Sequence, residues 1–126
     1  MYIPASVGEV IDKITILEIK QERIRDAGKL FNIRAELDAL RSALKSEGLS
    51  VPELTELTAD LLHINTVLWD IEDNIRELER QKNFDAAFVA VARSVYRSND
   101  ERSRIKRQIN DLTGSAVVEE KSYQAY

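Results

Sequence analysis

The sequence contains no cysteine and only one histidine. Without cysteine there can be no disulfide bond, no thiolate nucleophile and no metal site with cysteine ligands. A single histidine also excludes sites that need several imidazole groups. We therefore predict neither a metal site nor a cofactor bound through such side chains.

Proline, glycine and long apolar runs are also scarce. Two prolines and four glycines in 126 residues leave little to interrupt secondary structure, so the elements should be long. No apolar run approaches the ~20 residues that cross a membrane. The first ten residues lack the basic and apolar regions of a signal peptide. We expect a cytoplasmic protein with no membrane span.

The charge balance favours a folded protein that does not bind nucleic acid. Hydrophobic residues make up 44% and charged residues 32% of the chain, which is too apolar for a disordered protein. The net charge of −4 argues against nucleic-acid binding, which needs a basic surface. The length fits a single helical domain over residues 1–126, with a C-terminal tail at 115–126.

A first helix is predicted from Ser6, where Ser6 and Glu9 form a capping box. Apolar residues then recur at helical spacing as far as Leu44, with a change of phase at residues 25–29. This pattern predicts one long helix, kinked near Gly28 and ended by Gly48. Two helices separated by a break are the alternative.

Two further helices follow. Ser50 is the predicted cap of the second, and Pro52 lies in its first turn. Apolar residues between positions 54 and 78 are spaced alternately three and four apart, as in a coiled coil. The third helix should be capped by Asn83 or Asp85 and stopped by Gly114. A break at residues 97–100, with a fourth helix beyond it, is the alternative.

Short connections between long amphipathic helices favour an all-α fold: an antiparallel bundle of three helices with coiled-coil-like seams. The segment VIDKITILEI, residues 10–19, is apolar on more than one side. A helix of that kind needs cover on more than one side, so we predict a homodimer through the first helix. The alternative is that the C-terminal tail folds back over it.

The apolar seam of the third helix is interrupted by Ser98 and Arg102. Counting residues from the two turns places polar side chains of all three helices at one height, as a polar layer. A buried guanidinium needs a carboxylate or a bound anion, and Asp26, Glu36 and Asp70 are the candidate carboxylates. The candidate ligand-binding residues are Lys29, Asn32, Asn65, Asp70, Tyr96, Asn99, Arg102 and Lys106. The layer could instead set helix register, or Arg102 could extend its head group into water.

Several segments resemble a family of small bacterial helical proteins classed as a domain of unknown function. They are VGEVIDKITILEIKQERI, KLFNIRAEL, LWDIEDNIRELE, FDAAFVAVARSVYRSNDERSRIKRQIN and EEKSY. The resemblance implies an association with glycosyltransferase or repeat-containing proteins, and so with surface-polysaccharide synthesis. The family's pattern includes every candidate ligand-binding residue named above.

These observations lead to competing hypotheses of function. The first is a non-enzymatic interaction or scaffold module with a protein partner and a small-anion-binding polar layer. The second is a small helical enzyme for an anionic metabolite, similar to chorismate mutase, in which Arg23, Lys29 and Arg102 bind the substrate. A third is a sensor that binds a small anion without converting it.

Overall fold

The structure, a computed structural model, describes residues 1–49 and 52–126. All regular secondary structure in these residues is helical, which confirms the all-α prediction. The helices are α1 (Val7–Arg23), α2 (Ala27–Ser46), α3 (Pro52–Arg80) and α4 (Ala86–Thr113). The predicted cap Ser50 lies outside the described residues.

The prediction of three helices is wrong, because the predicted first helix is two helices. The chain leaves the helical conformation at Ile24, which is extended with φ −87° and ψ 135°. The Asp26 carboxylate then accepts a hydrogen bond from the Lys29 backbone N–H and caps α2. Gly28 lies inside α2 and is not a kink. The break is therefore set by a new N-cap rather than by glycine.

The other helix ends lie where the sequence places them. Ser6 caps α1 and accepts from the Glu9 N–H at 3.1 Å. Asp85 caps α4 and accepts from the Ala87 N–H at 2.9 Å. Gly114 ends α4 in the left-handed conformation, with φ 63°, which glycine adopts without a Cβ clash. Helix α4 is continuous through residues 97–100, as predicted, and the alternative of a break there is wrong.

The break at Ile24 determines how the helices pack. It returns α2 along α1, where Ile33 and Leu37 pack against Ile14 and Leu17. Among the described helices, α1 packs against each of the other three, and α3 and α4 pair as a hairpin. A second core cluster joins Ile11 of α1 to Leu61 of α3 and to Ile105 and Ile109 of α4. Helix α1 therefore lies beside α3 and α4, in the position predicted for residues 29–33, which belong to α2.

This arrangement covers the apolar side chains of α1 within the chain itself. Ile11, Ile14, Leu17 and Ile19 are all buried. The apolar side chains that suggested a dimer through α1 are thus covered by α2, α3 and α4. None of the described helices is both long and apolar enough to cross a membrane.

The ends of α3 and α4 that meet at residues 81–85 are less well covered. Arg23 at the end of α1 pairs with Asp70 of α3, so α3 continues beyond the end of α1. No side chain from residue 69 to residue 104 is fully buried. We call residues 71–97 the distal hairpin.

Candidate functional site

Asp12 lies at the centre of a buried polar cluster that joins α1, α3 and α4. The residue is 0% exposed. Arg102 of α4 donates two hydrogen bonds to this carboxylate, from Nε to Oδ1 at 2.9 Å and from Nη2 to Oδ2. Asn65 of α3 donates to Asp12 Oδ1 at 2.8 Å and to Thr15 Oγ1 at 2.9 Å. One carboxylate thus connects three helices.

Lys106, one turn after Arg102 on α4, extends the cluster towards the C-terminal tail. Its buried Nζ lies 2.5 Å from Glu9 Oε2, 3.1 Å from Glu119 Oε1 and 4.0 Å from Asp12 Oδ2. Two cations therefore face three carboxylates. We use the name polar cluster for these side chains: Glu9, Asp12, Asn65, Arg102, Lys106 and Glu119.

The electrostatics favour the charged forms of Asp12 and Lys106. Burial alone would raise the pKa of Asp12, but hydrogen bonds from Arg102 and Asn65, with the positive charges of Arg102 and Lys106, hold it below its usual range. Burial would lower the pKa of Lys106, but hydrogen bonds to Glu9 and Glu119 raise it. Asp12 and Lys106 are therefore ionised at neutral pH, and each has an oppositely charged partner within the cluster.

The polar cluster satisfies its own hydrogen-bonding groups. In residues 1–49 and 52–126, no buried side-chain nitrogen or oxygen lacks a hydrogen-bond partner. The N-terminus of α1 is satisfied in the same region, since the Gly8 N–H donates to Asn110 Oδ1 at 2.7 Å and the Val7 N–H donates to Ser115 Oγ at 3.1 Å. The stability of this arrangement does not require a bound ligand.

The structure brings together half of the predicted candidate residues. Asn65, Arg102 and Lys106 belong to the polar cluster, and Asn99 adjoins it, with Oδ1 3.5 Å from Arg102 Nη1. Tyr96 lies on the same helix but is exposed, with its ring centroid 5.1 Å from that of Tyr126.

The other three candidates lie elsewhere. Lys29 and Asn32 are exposed on α2, which packs against α1 and not against α3 or α4 in the described residues. Asp70 is exposed and pairs with Arg23. The reason is the break at Ile24: the predicted heights assumed that residues 29–33 lie beside α3, and α1 occupies that position.

The sequence analysis missed Asp12, the residue that binds Arg102. Of the three carboxylates predicted for that role, Asp26 caps α2, Asp70 pairs with Arg23, and Glu36 is exposed. A signal for Asp12 is present in the sequence: it is an acid inside the apolar segment VIDKITILEI. An ionised residue within a helix that is apolar nearly all round needs a buried cation.

The C-terminal tail, residues 115–126, runs back along α4. Glu119 contacts Lys106, Glu120 pairs with Arg107 at 3.0 Å, and the Tyr126 hydroxyl donates to Asp100 Oδ2 at 2.6 Å. The hydrogen bond to Asp100 raises the pKa of Tyr126. The tail thus lies as a strap on α4.

A groove of about 950 Å³ lies between the strap and α4. Three tyrosines, Tyr96, Tyr123 and Tyr126, line it together with Asn99 and Asp100. A smaller cavity of about 350 Å³ adjoins it towards Lys106, since Asp100, Ser103, Lys121 and Tyr123 line both. Two of the predicted candidates, Tyr96 and Asn99, line this groove.

Comparison with known families gives one result. Residues 1–126 match a family described as a family of unknown function, DUF6165. The chain belongs to this family. The resemblance inferred from the sequence, to a family of unknown function, is confirmed to that extent. No match was found among curated proteins or among solved structures.

The DUF6165 chain shows no converging set of metal-binding side chains in its described residues. Within 1–49 and 52–126 there is no group of three or more histidine, aspartate or glutamate side chains placed to hold a metal ion. The carboxylates of the polar cluster face Arg102 and Lys106 instead.

Proposed function

We propose that the chain is a non-enzymatic assembly module that works as one helical domain and self-associates through its distal hairpin. The observation that carries this proposal is the contrast between the apolar composition of the distal hairpin and the incomplete burial of its side chains. Its residues include the run AAFVAVA at 86–92, yet none of its side chains is fully buried. A helix that is apolar all round is stable when it is covered all round.

The exposed part of this surface lies at the start of α4 and in the turn just before it. Phe88, Val91 and Ala92 are half-buried, whereas Phe84 is 53% and Val89 is 51% exposed. Helix α3 therefore covers one side of the run and leaves the other open. Exposed apolar patches of this kind mark protein-binding surfaces.

We assign the polar cluster a structural role rather than an anion-binding one. Arg102 and Lys106 already contact carboxylates, so a bound anion would have to displace Asp12 or Glu119. The enzyme hypothesis required Arg23, Lys29 and Arg102 to share one substrate. Arg23 is bound to Asp70 and Lys29 is exposed on α2, which favours the assembly role.

Sedimentation velocity tests the self-association. We expect a dimer at micromolar concentration, with a dissociation constant at least about tenfold higher for Val89→Glu, since the substitution places a charge in an apolar contact. Phe31→Glu is the matched control, because Phe31 is 74% exposed on α2 and outside the hairpin. A wild-type monomer at all concentrations, or equal effects of the two substitutions, would contradict the proposal.

A saccharide-binding role for the groove is a second candidate. The resemblance described above implies work in surface-polysaccharide synthesis by a bacterial protein, and the sequence predicts a cytoplasmic location; both stay predictions. The groove supports it with three tyrosine rings, on which sugar C–H faces can pack, and with Asn99 and Asp100, which can bind hydroxyl groups.

Titration calorimetry with neutral oligosaccharides tests this second role. We expect binding by the wild type that is at least about tenfold weaker in Tyr123→Ala, because one stacking surface is removed. Tyr2→Ala is the control, since Tyr2 is fully exposed and does not line the groove. Equal affinities for both variants, or no heat with any oligosaccharide, would exclude the role.

A further inference from the structure

The geometry points to a specific partner for the exposed face of α4: we propose that it pairs antiparallel with α4 of a second copy of this chain, about a two-fold axis beside Val89. This inference rests on the proposed self-association and names the surface and the contacts that carry it. The partner follows from the charge pattern of the face itself.

Three exposed residues form one stripe at the start of α4, two of them in the helix and one at its N-cap. Val89 and Arg93 are four residues apart within α4, so they lie on one side of the helix, and Asp85 is the N-cap four residues before Val89. All three are exposed, as are Ala86 and Ala90 beside them. The stripe therefore has an acidic end, a small apolar middle and a basic end.

This stripe is complementary to itself in one orientation. An antiparallel pair with its two-fold axis at Val89 places Asp85 of each copy opposite Arg93 of the other, so the charge pair forms twice. The two Val89 side chains meet at the axis, and the alanines beside them allow the helices to approach closely. A parallel pair would instead place like charges opposite each other, which is unfavourable.

Both charged groups are available for this contact. In the described residues, Asp85 and Arg93 take no part in an ion pair within the chain, whereas Arg76, Arg80 and Arg104 each pair within their own helix. The contact of Arg93 is a long one, 3.4 Å from Nε to the Tyr96 hydroxyl. Asp85 accepts from the Ala87 N–H through Oδ1 as the cap of α4, and no cationic side chain in the described residues lies within ion-pair distance of it.

A foreign helix would fit this face less specifically than a second copy. The pairing would also bury the side of the AAFVAVA run that α3 leaves open. Two distal hairpins joined in this way form a four-helix arrangement, with both α4 helices inside and both α3 helices outside.

A charge exchange tests the pairing by sedimentation velocity. Arg93→Glu places two carboxylates opposite each other, and Asp85→Lys places two cations opposite each other. We expect each single variant to dimerise at least about tenfold more weakly than the wild type. The double variant Asp85→Lys/Arg93→Glu should recover dimerisation to within about threefold. Arg34→Glu, the same charge change on the exposed surface of α2, should have no effect.

Mixing the two single variants gives a sharper outcome. Asp85→Lys protein and Arg93→Glu protein should form a heterodimer. At one contact the introduced lysine lies opposite the introduced glutamate, and at the other contact the original Asp85 and Arg93 remain opposite each other. Circular dichroism at the working temperature checks that each variant is folded, since Asp85 also caps α4. Failure of the double variant and of the mixture to associate, with a wild-type dimer that Val89→Glu disrupts, would overturn this pairing and leave the hairpin assembly standing. A wild-type monomer would overturn both.

Discussion

Replacing Asp12 by alanine should lower the free energy of unfolding by about 3 kcal/mol. The substitution leaves the Arg102 guanidinium and Asn65 Nδ2 without their shared acceptor, and it removes a carboxylate near Lys106. Removing one partner of a buried ion pair is costly because the remaining charge stays desolvated. Urea unfolding followed by circular dichroism measures the change, which is a large fraction of the roughly 5–15 kcal/mol that stabilises a domain.

The matched control for this prediction is Asp70→Ala. Asp70 also pairs with an arginine of another helix, Arg23, but its side chain is 62% exposed. An exposed pair contributes at most about 1 kcal/mol because water screens it. Equal effects of Asp12→Ala and Asp70→Ala would mean that Asp12 is not buried in solution.

Replacing Gly8 by alanine should destabilise the protein by about 2 kcal/mol. A Cβ at this position would lie 2.6 Å from the Lys106 backbone oxygen and 2.9 Å from Asn110 Oδ1. Because the first of these atoms belongs to the α4 backbone, the clash can be relieved only by moving α1 away from α4. That movement would also lengthen the hydrogen bond from the Gly8 N–H to Asn110.

Gly28→Ala is the control, and we expect the opposite sign. Gly28 lies in the first turn of α2, is exposed, and its added Cβ would meet only Asp26 Oδ2, at 3.4 Å. Alanine is a better helix former than glycine by up to about 1 kcal/mol, so this variant should be slightly more stable. Thermal unfolding of both variants checks the pair. A Gly8→Ala protein as stable as the wild type would show that α1 and α4 are not in close contact there.

Helix ends could be predicted from the sequence because their signals are local. Ser6, Asp85 and Gly114 act through hydrogen bonds and φ preferences within a few residues, and these do not depend on the rest of the fold. The break at Ile24 has a local signal as well, in Asp26 as an N-cap. Apolar spacing on both sides of it favoured continuity, and the phase change was attributed to Gly28 instead.

The candidate site was predictable in part. The sequence indicates that Arg102, on an apolar seam, needs a carboxylate or a bound anion, because burying an unpaired charge is costly, and in the structure Asp12 is that carboxylate. It does not indicate which carboxylate, since that depends on which helix lies beside α4. Counting heights placed α2 there, whereas α1 is the neighbour. That one error in connectivity separated Lys29 and Asn32 from the polar cluster.

The same limitation applies to the assembly surface. The apolar pattern at residues 10–19 led to the prediction of a dimer there, although residues 86–92 are also largely apolar, and the sequence does not indicate which stretch the chain covers by itself. Helix α1 is covered because it is central, whereas no side chain described at the start of α4 is fully buried. Tertiary position, rather than hydrophobicity, selects the surface that needs a partner.

A double-mutant cycle between Asp12 and Arg102 tests most directly the claim that this pair holds α1 against α4. The free energies of unfolding of the wild type, Asp12→Ala, Arg102→Ala and the double variant give the coupling energy of the two side chains. We predict a coupling of about 1–3 kcal/mol, as found for residues in one buried network. A coupling of zero within about 0.5 kcal/mol, the error expected for distant independent sites, would contradict the account.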